Sequence, residues 1–334
     1  MPPTFRDLTT LRVGGPAGRF ELAETSEQLI QLVRGATDPL LIIGGGSNLL
    51  VGEQGWDGLV VKVASSGLCI EGEQLRVEAG HDWDDVVAQS IAAGLAGLET
   101  LSGIPGSAGG TPVQNVGAYG TLTSDLLAGL HVYDRHTERL ESWTPEQCEF
   151  GSHRWSIFKQ SDRYVVVDLT FGLRRSQVSA PIRYAALASY LGCELGACLP
   201  AHTVRAAVLE LRRQRGMVLD AEDHDTWSVG SFFLNPVLGA VPGAATDCPR
   251  FTDPLGTKLS AAWLIEHSGF DRGYGREWGR GTVTLSSRHT LAITNRGGAS
   301  STEVTGFARH VRDGVERRFG IRLQPECNLI NCAV

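Results

Sequence analysis

Apolar and polar positions in the first half of the chain follow the periods of short helices and strands. Thr25 and Gln28 have the spacing of a capping box, and apolar residues then recur on one helical face. Asp82 is a favoured N-cap for a second helix. The predicted elements are helices from Thr25 and over 83–93, a buried strand over 40–43, and strands over 59–63 and 75–79. This half is predicted to mix helices and strands.

The second half continues this mixture and contains one polar interruption. Alternate apolar residues from Val165 to Phe171 predict a strand with one buried face. A long helix from Ala201 leads into residues 220–227, which we interpret as a polar linker at a domain boundary. The remaining predicted elements are strands over 131–134, 164–173, 282–285 and 291–295, a helix over 258–267, and a helix capped by Ser300 and Glu303.

Length and composition narrow the class of protein. A chain of 334 residues with 42% hydrophobic and 20% charged residues is typical of a globular protein with two or three domains. It has no apolar run of membrane-spanning length, and its polar N-terminus lacks the apolar core of a signal peptide. We therefore expect a cytoplasmic protein without a membrane partner.

Charge and cysteine content remove two further classes of function. The net charge of −7 is spread over both signs, so no basic surface is expected to bind nucleic acid. The seven cysteines are scattered, and no two have C-x-x-C spacing. We expect reduced thiols and no metal site.

Glycine is the compositional excess, with 41 residues that cluster in two segments. The first segment, Gly44-Gly45-Gly46-Ser47-Asn48, follows a predicted strand. Three successive glycines allow backbone N–H groups to converge on an anion such as a pyrophosphate, and they equally suit a tight turn. The spacing is not that of a P-loop.

The second glycine-rich segment runs from Gly97 to Gly120 and is unusual in its length and low charge. A segment of this composition has to pack against a ligand or against another part of the chain. A flat cofactor with polar edges fits this requirement, and so does a loop that packs on itself.

Together these segments resemble the two FAD-binding signatures of the UDP-N-acetylenolpyruvoylglucosamine reductase family. Leu11-Arg12-Val13-Gly14-Gly15 is similar to the family's N-terminal F-R-V-G-G motif. In the second half, the residues from Gly230 to Pro236 resemble its G-S-F-F-x-N-P motif, and Pro325-Glu326 matches its C-terminal P-E pair. The motifs cover nearly the whole chain.

The resemblance implies a fold, a domain division and a reaction. The fold is an α+β, three-domain flavoprotein with vanillyl-alcohol-oxidase-like (PCMH-type) FAD-binding subdomains and a C-terminal substrate domain. The implied bounds are 1–63 plus 319–334, 64–215 and 216–318. The implied reaction is NADPH-dependent reduction of UDP-N-acetylglucosamine enolpyruvate to UDP-N-acetylmuramate through non-covalent FAD, in peptidoglycan precursor synthesis, by a monomer.

The resemblance also assigns roles to individual residues. Ser231 is the implied proton donor, while Arg154 and a protonated Glu326 stabilise the substrate enolate. The implied substrate contacts are Tyr184, Arg215, Asn235 and His153. The implied FAD contacts are Gly44, Gly45, Gly46, Ser47, Asn48, Leu49, Ser102, Ile104, Pro105, Gly106, Gly109, Gly110, Gln114, Asn115, Gly117, Ala118 and Tyr119.

One segment departs from the family pattern. The family's F-x-Y-R-x-S-x-F-K has one residue more here, and His153 stands where tyrosine is expected. Since histidine titrates near neutrality, a new pH dependence is expected if His153 faces the site. The alternative is a divergent paralogue, an FAD-dependent oxidoreductase of the same fold that acts on another enolpyruvyl or nucleotide-sugar substrate.

Two other hypotheses remain at this stage. One is an oxidase or dehydrogenase of the same superfamily with another substrate. Such enzymes often bind FAD covalently through histidine or cysteine, but neither glycine-rich segment contains a histidine. The other is a nucleotide-binding module without turnover. The presence of Ser231, Arg154 and Glu326 argues against this hypothesis. Replacing Ser231 separates an enzyme from such a module.

Overall fold

The protein has an α+β fold, seen here in a computed structural model that describes residues 2–151 and 155–334. The helices are α1 (Phe5–Leu8), α2 (Ser26–Arg34), α3 (Trp83–Ala92), α4 (Ile157–Gln160), α5 (Ala185–Leu191), α6 (Ala201–Gln214), α7 (Ala261–Glu266) and α8 (Ser301–Phe319). The strands are β1 (Arg19–Ala23), β2 (Leu40–Ile43), β3 (Leu49–Val51), β4 (Leu59–Val63), β5 (Leu68–Glu71), β6 (Gln74–Glu78), β7 (Leu95–Ala96), β8 (Gly117–Ala118), β9 (Thr121–Leu122), β10 (Leu127–Asp134), β11 (Arg139–Trp143), β12 (Tyr164–Gly172), β13 (Arg174–Arg175), β14 (Val237–Leu238), β15 (Arg250–Asp253), β16 (Gly256–Leu259), β17 (Val283–Leu285), β18 (Ile293–Asn295) and β19 (Asn328–Ile330).

The chain divides into two compact units. Unit 1 comprises Met1–Arg19, Gly46–Gly58 and Arg215–Val334, and unit 2 comprises Phe20–Gly45 and Leu59–Gln214. The three-domain division expected from the resemblance stays a prediction.

The main helices begin where local capping signals predict. The hydroxyl of Thr25 accepts a hydrogen bond from the N–H of Gln28, and the carboxylate of Asp82 accepts one from the N–H three residues further on. Ser300 and Glu303 form a complete capping box at the start of α8. Each of these contacts satisfies an N–H group that the helix itself leaves unpaired.

Unit 2 is built around a five-stranded antiparallel sheet in the order β11-β10-β12-β6-β5. The alternating apolar residues that predicted β12 are buried, and Val166 and Asp168 on its other face are buried as well. Strand β12 lies at the centre of the sheet, with β10 on one side and β6 on the other. Trp83 of α3 packs on Phe171 of β12 with 5.5 Å between ring centroids.

A second sheet of unit 2, in the order β1-β4-β2, leads into the first glycine-rich segment. Strand β2 was expected to be buried, yet only Ile43 is buried and the residues from Leu40 to Ile42 are half-buried. Its position at the edge of the sheet accounts for the difference. The neighbouring β4, which pairs with it in parallel, is the more deeply buried strand.

Unit 1 packs a core of its own around the long helix α8. Phe232, Phe233 and Phe307 are among its fully buried side chains. Its strands form the sheet β14-β16-β15, the hairpin β17-β18 and the parallel pair β19-β3. Burial of an aromatic side chain of this size stabilises a fold by about 2 to 3 kcal/mol, so the two adjacent phenylalanines hold their segment firmly.

Two predictions for this part of the chain are wrong. The helix expected over 258–267 begins only at Ala261, because Gly256–Leu259 forms β16 in a hairpin with β15. The side chain of Ser260 then caps the helix. The linker expected over 220–227 instead contains a short 3-10 turn and the buried Asp225, so it is an ordered part of unit 1.

Candidate functional site

The two glycine-rich segments meet inside unit 2. A Cβ atom added to Gly45 would lie 2.7 Å from the Cα of Gly106, and one added to Gly44 would collide with the hydroxyl of Ser107. Backbone therefore lies against backbone here, and no larger residue fits without movement. The sequence predicted both segments separately, but not their contact.

The first segment continues into unit 1. Gly46 has a φ of +64°, and a Cβ atom there would collide with the carbonyl oxygen of Leu8. Ser47, Asn48 and Leu49 are half-buried. The carbonyl of Asn48 accepts a hydrogen bond from the N–H of Asn328 at 3.0 Å, and Leu49 opens β3 beside β19.

The second segment is fixed to the core of unit 2 by backbone hydrogen bonds. The carbonyl of Gly106 accepts from the N–H of Trp83 at 3.1 Å, and the N–H of Gly109 donates to the carbonyl of Ala79 at 2.8 Å. A Cβ atom on Gly109 would lie 2.6 Å from that of Ala79, whereas one on Gly110 would have 3.9 Å of clearance. These contacts hold the loop against the core of unit 2.

Asp84 of α3 adds a charged tie to this loop. Its carboxylate accepts from the N–H of Gly103 at 2.6 Å and from both terminal nitrogens of Arg205 on α6, at 2.6 and 2.8 Å. Burial raises the pKa of Asp84, but the hydrogen bonds of Arg205 and Gly103 outweigh it and hold the pKa below its usual value. Asp84 therefore holds the loop as a carboxylate.

Several predicted FAD contacts have side chains that are already engaged within unit 2. The hydroxyl of Ser102 is fully buried and donates to the carbonyl of Glu99 at 2.7 Å. The amide of Asn115 accepts from the N–H of Ser124 and donates to its hydroxyl. Ile104, Pro105, Gln114, Gly117 and Ala118 are half-buried. Tyr119 is buried with a φ of +50°.

Tyr119 also contacts a predicted substrate residue. Its ring meets that of Tyr184 edge-on, with 5.4 Å between centroids, and Tyr184 is 40% exposed. This geometry is favourable for aromatic pairs. The structure thus brings a predicted FAD contact and a predicted substrate contact together in unit 2.

In unit 1, the motifs that carry Ser231 and Glu326 lie side by side. The N–H of Glu326 donates to the carbonyl of Phe232 at 2.8 Å, and the N–H of Leu234 donates to the carbonyl of Gln324 at 2.9 Å. Ser231 is half-buried and Glu326 is 8% exposed. Two segments almost a hundred residues apart are therefore joined like antiparallel strands.

The remaining predicted residues are placed as follows. Arg215 is half-buried, directly follows Gln214, the last residue of α6, and begins a unit 1 segment. The side-chain oxygen of Asn235 accepts from the N–H of Ala261, the first residue of α7, at 2.9 Å. Arg154 and His153 lie outside the described residues.

Unit 1 contains a buried charge cluster that the sequence does not predict. The carboxylate of Asp225 accepts hydrogen bonds from Ser286, Ser287, Arg288 and Arg296. Burial raises its pKa, and the hydrogen bonds from both serines and Arg288 more than offset this, so the pKa lies below the usual value. Its partners are 61 to 71 residues away in sequence, so no local signal could have found it.

Among the described residues, no group of three or more histidine, cysteine, aspartate or glutamate side chains is arranged to hold a metal ion. In the same part of the chain, no helix has the length and apolar character needed to cross a bilayer.

Comparisons with known proteins agree across the chain. Residues 222–330 match the model of the UDP-N-acetylenolpyruvoylglucosamine reductase C-terminal domain, and residues 19–141 match that of an FAD binding domain. The chain is 51% identical to the UDP-N-acetylenolpyruvoylglucosamine reductase of Nocardia farcinica over 96% of this chain and 86% of that protein. It is 48% identical to the protein of the same name from Thermobifida fusca, over 96% and 94%.

A solved structure supports the fold over the same length. The crystal structure of UDP-N-acetylenolpyruvylglucosamine reductase from Thermus caldophilus is 25% identical in sequence and superposes with a TM-score of 0.69. The superposition covers 98% of this chain and 97% of that one.

Proposed function

Because this chain belongs to the UDP-N-acetylenolpyruvoylglucosamine reductase family, we propose that it reduces UDP-N-acetylglucosamine enolpyruvate to UDP-N-acetylmuramate with electrons from NADPH. The family resemblance drawn from the motifs is confirmed, as is the α+β flavoprotein fold with an FAD-binding region and a C-terminal domain of the family type. The protein is an FAD-dependent oxidoreductase. In this role it acts in peptidoglycan precursor synthesis.

The residues present suit FAD. Gly44 and Gly45 lie against Gly106 and Ser107, where side chains would collide. A bare, ordered backbone of this kind offers N–H groups to a pyrophosphate without steric obstruction. When bound, FAD supplies the capacity to accept a hydride from NADPH and to pass one to the vinyl group of the substrate.

The protein's own side chains have to donate the proton and stabilise the negative charge. Hydride addition to the vinyl carbon leaves charge on the neighbouring carbon and its carboxylate. We assign the proton transfer to that carbon to Ser231 Oγ, and we assign stabilisation of the enolate oxygens to the carboxyl group of Glu326. Arg154 is proposed to supply positive charge to the same oxygens.

One observation carries this assignment. The hydrogen bond from the N–H of Glu326 to the carbonyl of Phe232 holds the two motifs together, one residue away from Ser231. Groups that act on one small substrate have to be held within a few ångströms of it. A coincidental pair of motifs would not need such a junction.

The other assignments from the resemblance are proposals of the same kind. Tyr184, Arg215, Asn235 and His153 are proposed to contact the UDP-sugar, and the glycine-rich residues named above to contact FAD, bound non-covalently. We also propose that the protein is cytoplasmic and monomeric. Light scattering during gel filtration of the purified chain tests whether it is a monomer.

The first experiment follows the flavin spectrum under anaerobic conditions. NADPH is expected to bleach the flavin band, and UDP-N-acetylglucosamine enolpyruvate is expected to restore it with formation of UDP-N-acetylmuramate. Bleaching without restoration would contradict the proposed substrate and favour the divergent paralogue, for which the segment around His153 is the first place to look. Acid precipitation tests the attachment of FAD, since a colourless pellet is expected and a yellow one contradicts non-covalent binding.

A further inference from the structure

Thr10 makes two hydrogen bonds that join separate functional segments of unit 1. Its N–H donates to the carbonyl of Gly46 at 3.2 Å, and its hydroxyl donates to the carbonyl of Ser228 at 2.7 Å. The residue is only 6% exposed. Gly46 belongs to the first glycine-rich segment, and Ser228 lies three residues before Ser231.

On the first side, Thr10 meets a turn with little freedom. Gly46 has a left-handed φ of +64°, and a Cβ atom there would lie 2.9 Å from the Cα of Thr9. The turn is therefore packed tightly against the backbone that precedes Thr10. The position of Thr10 relative to the turn is set by close contact as well as by its own N–H.

On the second side, Thr10 holds Ser228, which lies near the start of a short stretch that is fixed at both ends. Trp227 is fixed through its carbonyl, which accepts from the N–H of Asn295 at 3.0 Å, and Phe232 is fixed through its N–H, which donates to the carbonyl of Leu291 at 2.8 Å. Ser231 lies between these two points, directly after Gly230, which has a φ of +76°. Glycine permits motion about such a position, so a tie at Ser228 restrains the approach to Ser231.

We infer that Thr10 is a positioning residue, which sets Ser231 relative to the glycine-rich turn by holding Ser228 and Gly46 at once. The inference rests on the proposed function, in which Ser231 donates the proton. Thr10 acts through the backbone of both segments. The residue directly before the N-terminal motif thereby contributes to proton delivery.

The test separates the two half-reactions in stopped-flow experiments on the holoenzyme. Thr10→Val keeps the size and shape of the side chain and removes the hydroxyl, and Thr10→Ser keeps the hydroxyl. Thr9→Val is a matched control, because the hydroxyl of Thr9 also donates to a backbone carbonyl at 2.7 Å, that of Phe5, and Thr9 is also 6% exposed. Thr10→Ala is a second variant without the hydroxyl if the valine variant does not fold.

We expect Thr10→Val to slow flavin reoxidation by UDP-N-acetylglucosamine enolpyruvate about tenfold, the size expected when one hydrogen bond no longer supports the reacting geometry. Bleaching by NADPH and the Kd for FAD should stay within about twofold of wild type. Thr10→Ser should restore most of the lost rate. Thr9→Val should lower the thermal midpoint and leave both half-reactions unchanged.

Three results would overturn the inference. These are an unchanged reoxidation rate in Thr10→Val, an equal slowing of both half-reactions, and a serine variant as slow as the valine variant. A wild-type enzyme that NADPH bleaches but that the enolpyruvyl sugar does not reoxidise overturns the proposed function itself, and the inference falls with it. If wild type turns over normally and a Thr10 variant gives one of the three results above, only the inference about Thr10 fails.

Discussion

Replacing Asp84 by alanine should weaken FAD binding without dismantling the fold. The carboxylate of Asp84 holds the N–H of Gly103 at 2.6 Å and pairs with both terminal nitrogens of Arg205. Gly103 lies one residue after Ser102, within the segment proposed to bind FAD. The mutation therefore releases one end of that segment, while the hydrogen bond between Trp83 and Gly106 remains.

The size of the effect can be bounded from these contacts. A hydrogen bond to a charged group contributes about 1.5 to 3 kcal/mol, and a partly exposed ion pair contributes about 0 to 1 kcal/mol. The side chains of Asp84 and Arg205 are 35% and 18% exposed, so a loss of about 2 kcal/mol in the free energy of unfolding is reasonable. We expect the Kd for FAD to rise about tenfold, which corresponds to about 1.4 kcal/mol.

The assay is titration of apoprotein with FAD, followed by quenching of flavin fluorescence. Asp85→Ala is the matched control, because the neighbouring carboxylate binds His81 and Gln89 instead of the loop. Arg205→Ala removes the ion pair and leaves the bond to Gly103, so its Kd should lie between wild type and Asp84→Ala. The reasoning is refuted if Asp84→Ala and Asp85→Ala bind FAD equally well, or if Arg205→Ala is the weakest binder.

Further predictions concern catalysis, stability and the glycine contacts. Ser231→Ala should slow flavin reoxidation by the enolpyruvyl sugar at least a hundredfold while leaving bleaching by NADPH near wild type, as measured by stopped flow. Asp225→Ala should lower the free energy of unfolding, measured in urea, by about 2 to 3 kcal/mol, because it removes the buried carboxylate that pairs with Arg288 and Arg296. The pKa of Glu303 is lowered to about 2 from 4.5, mainly by Arg280. Its stabilising effect is therefore complete above pH 4.5, and the stability difference between wild type and Glu303→Gln should shrink as the pH falls toward 2. Gly45→Ala should lose FAD, measured as the flavin content of the purified protein, whereas Gly172→Ala, where the added Cβ atom would lie 3.6 Å from the Cβ of Ala128, should retain it.

Predictions that depended on neighbouring residues succeeded. The caps at Thr25, Asp82 and Ser300 each involve an N–H group within three residues, so the sequence contains both partners of the contact. Strands β2 and β4 match the predicted ranges for the same reason, since a run of β-branched and aliphatic residues is a local property. Burial was less predictable, because an edge strand and a central strand can have similar sequences.

Predictions failed where a distant partner decides the structure. Lys258 and Leu259 continue an apolar helical pattern, yet they pair with Phe251 and Arg250 across a hairpin. In the sequence, Asp225 resembles a solvated residue in a polar stretch. In the structure it is buried and forms ion pairs with Arg288 and Arg296. In both cases tertiary contacts override the local preference.

The candidate site shows a further limit of motif-based assignment. The hydroxyl of Ser102 donates a hydrogen bond to the carbonyl of Glu99. The side-chain amide of Asn115 donates to the hydroxyl of Ser124 and accepts from its N–H. A serine hydroxyl has one hydrogen to donate, so Ser102 cannot donate to a ligand while this bond exists. The resemblance assigns both residues to FAD, but their side chains in this structure shape the loop that presents Gly106 and Gly110. We therefore propose that backbone N–H groups of this loop, rather than these two side chains, contact FAD.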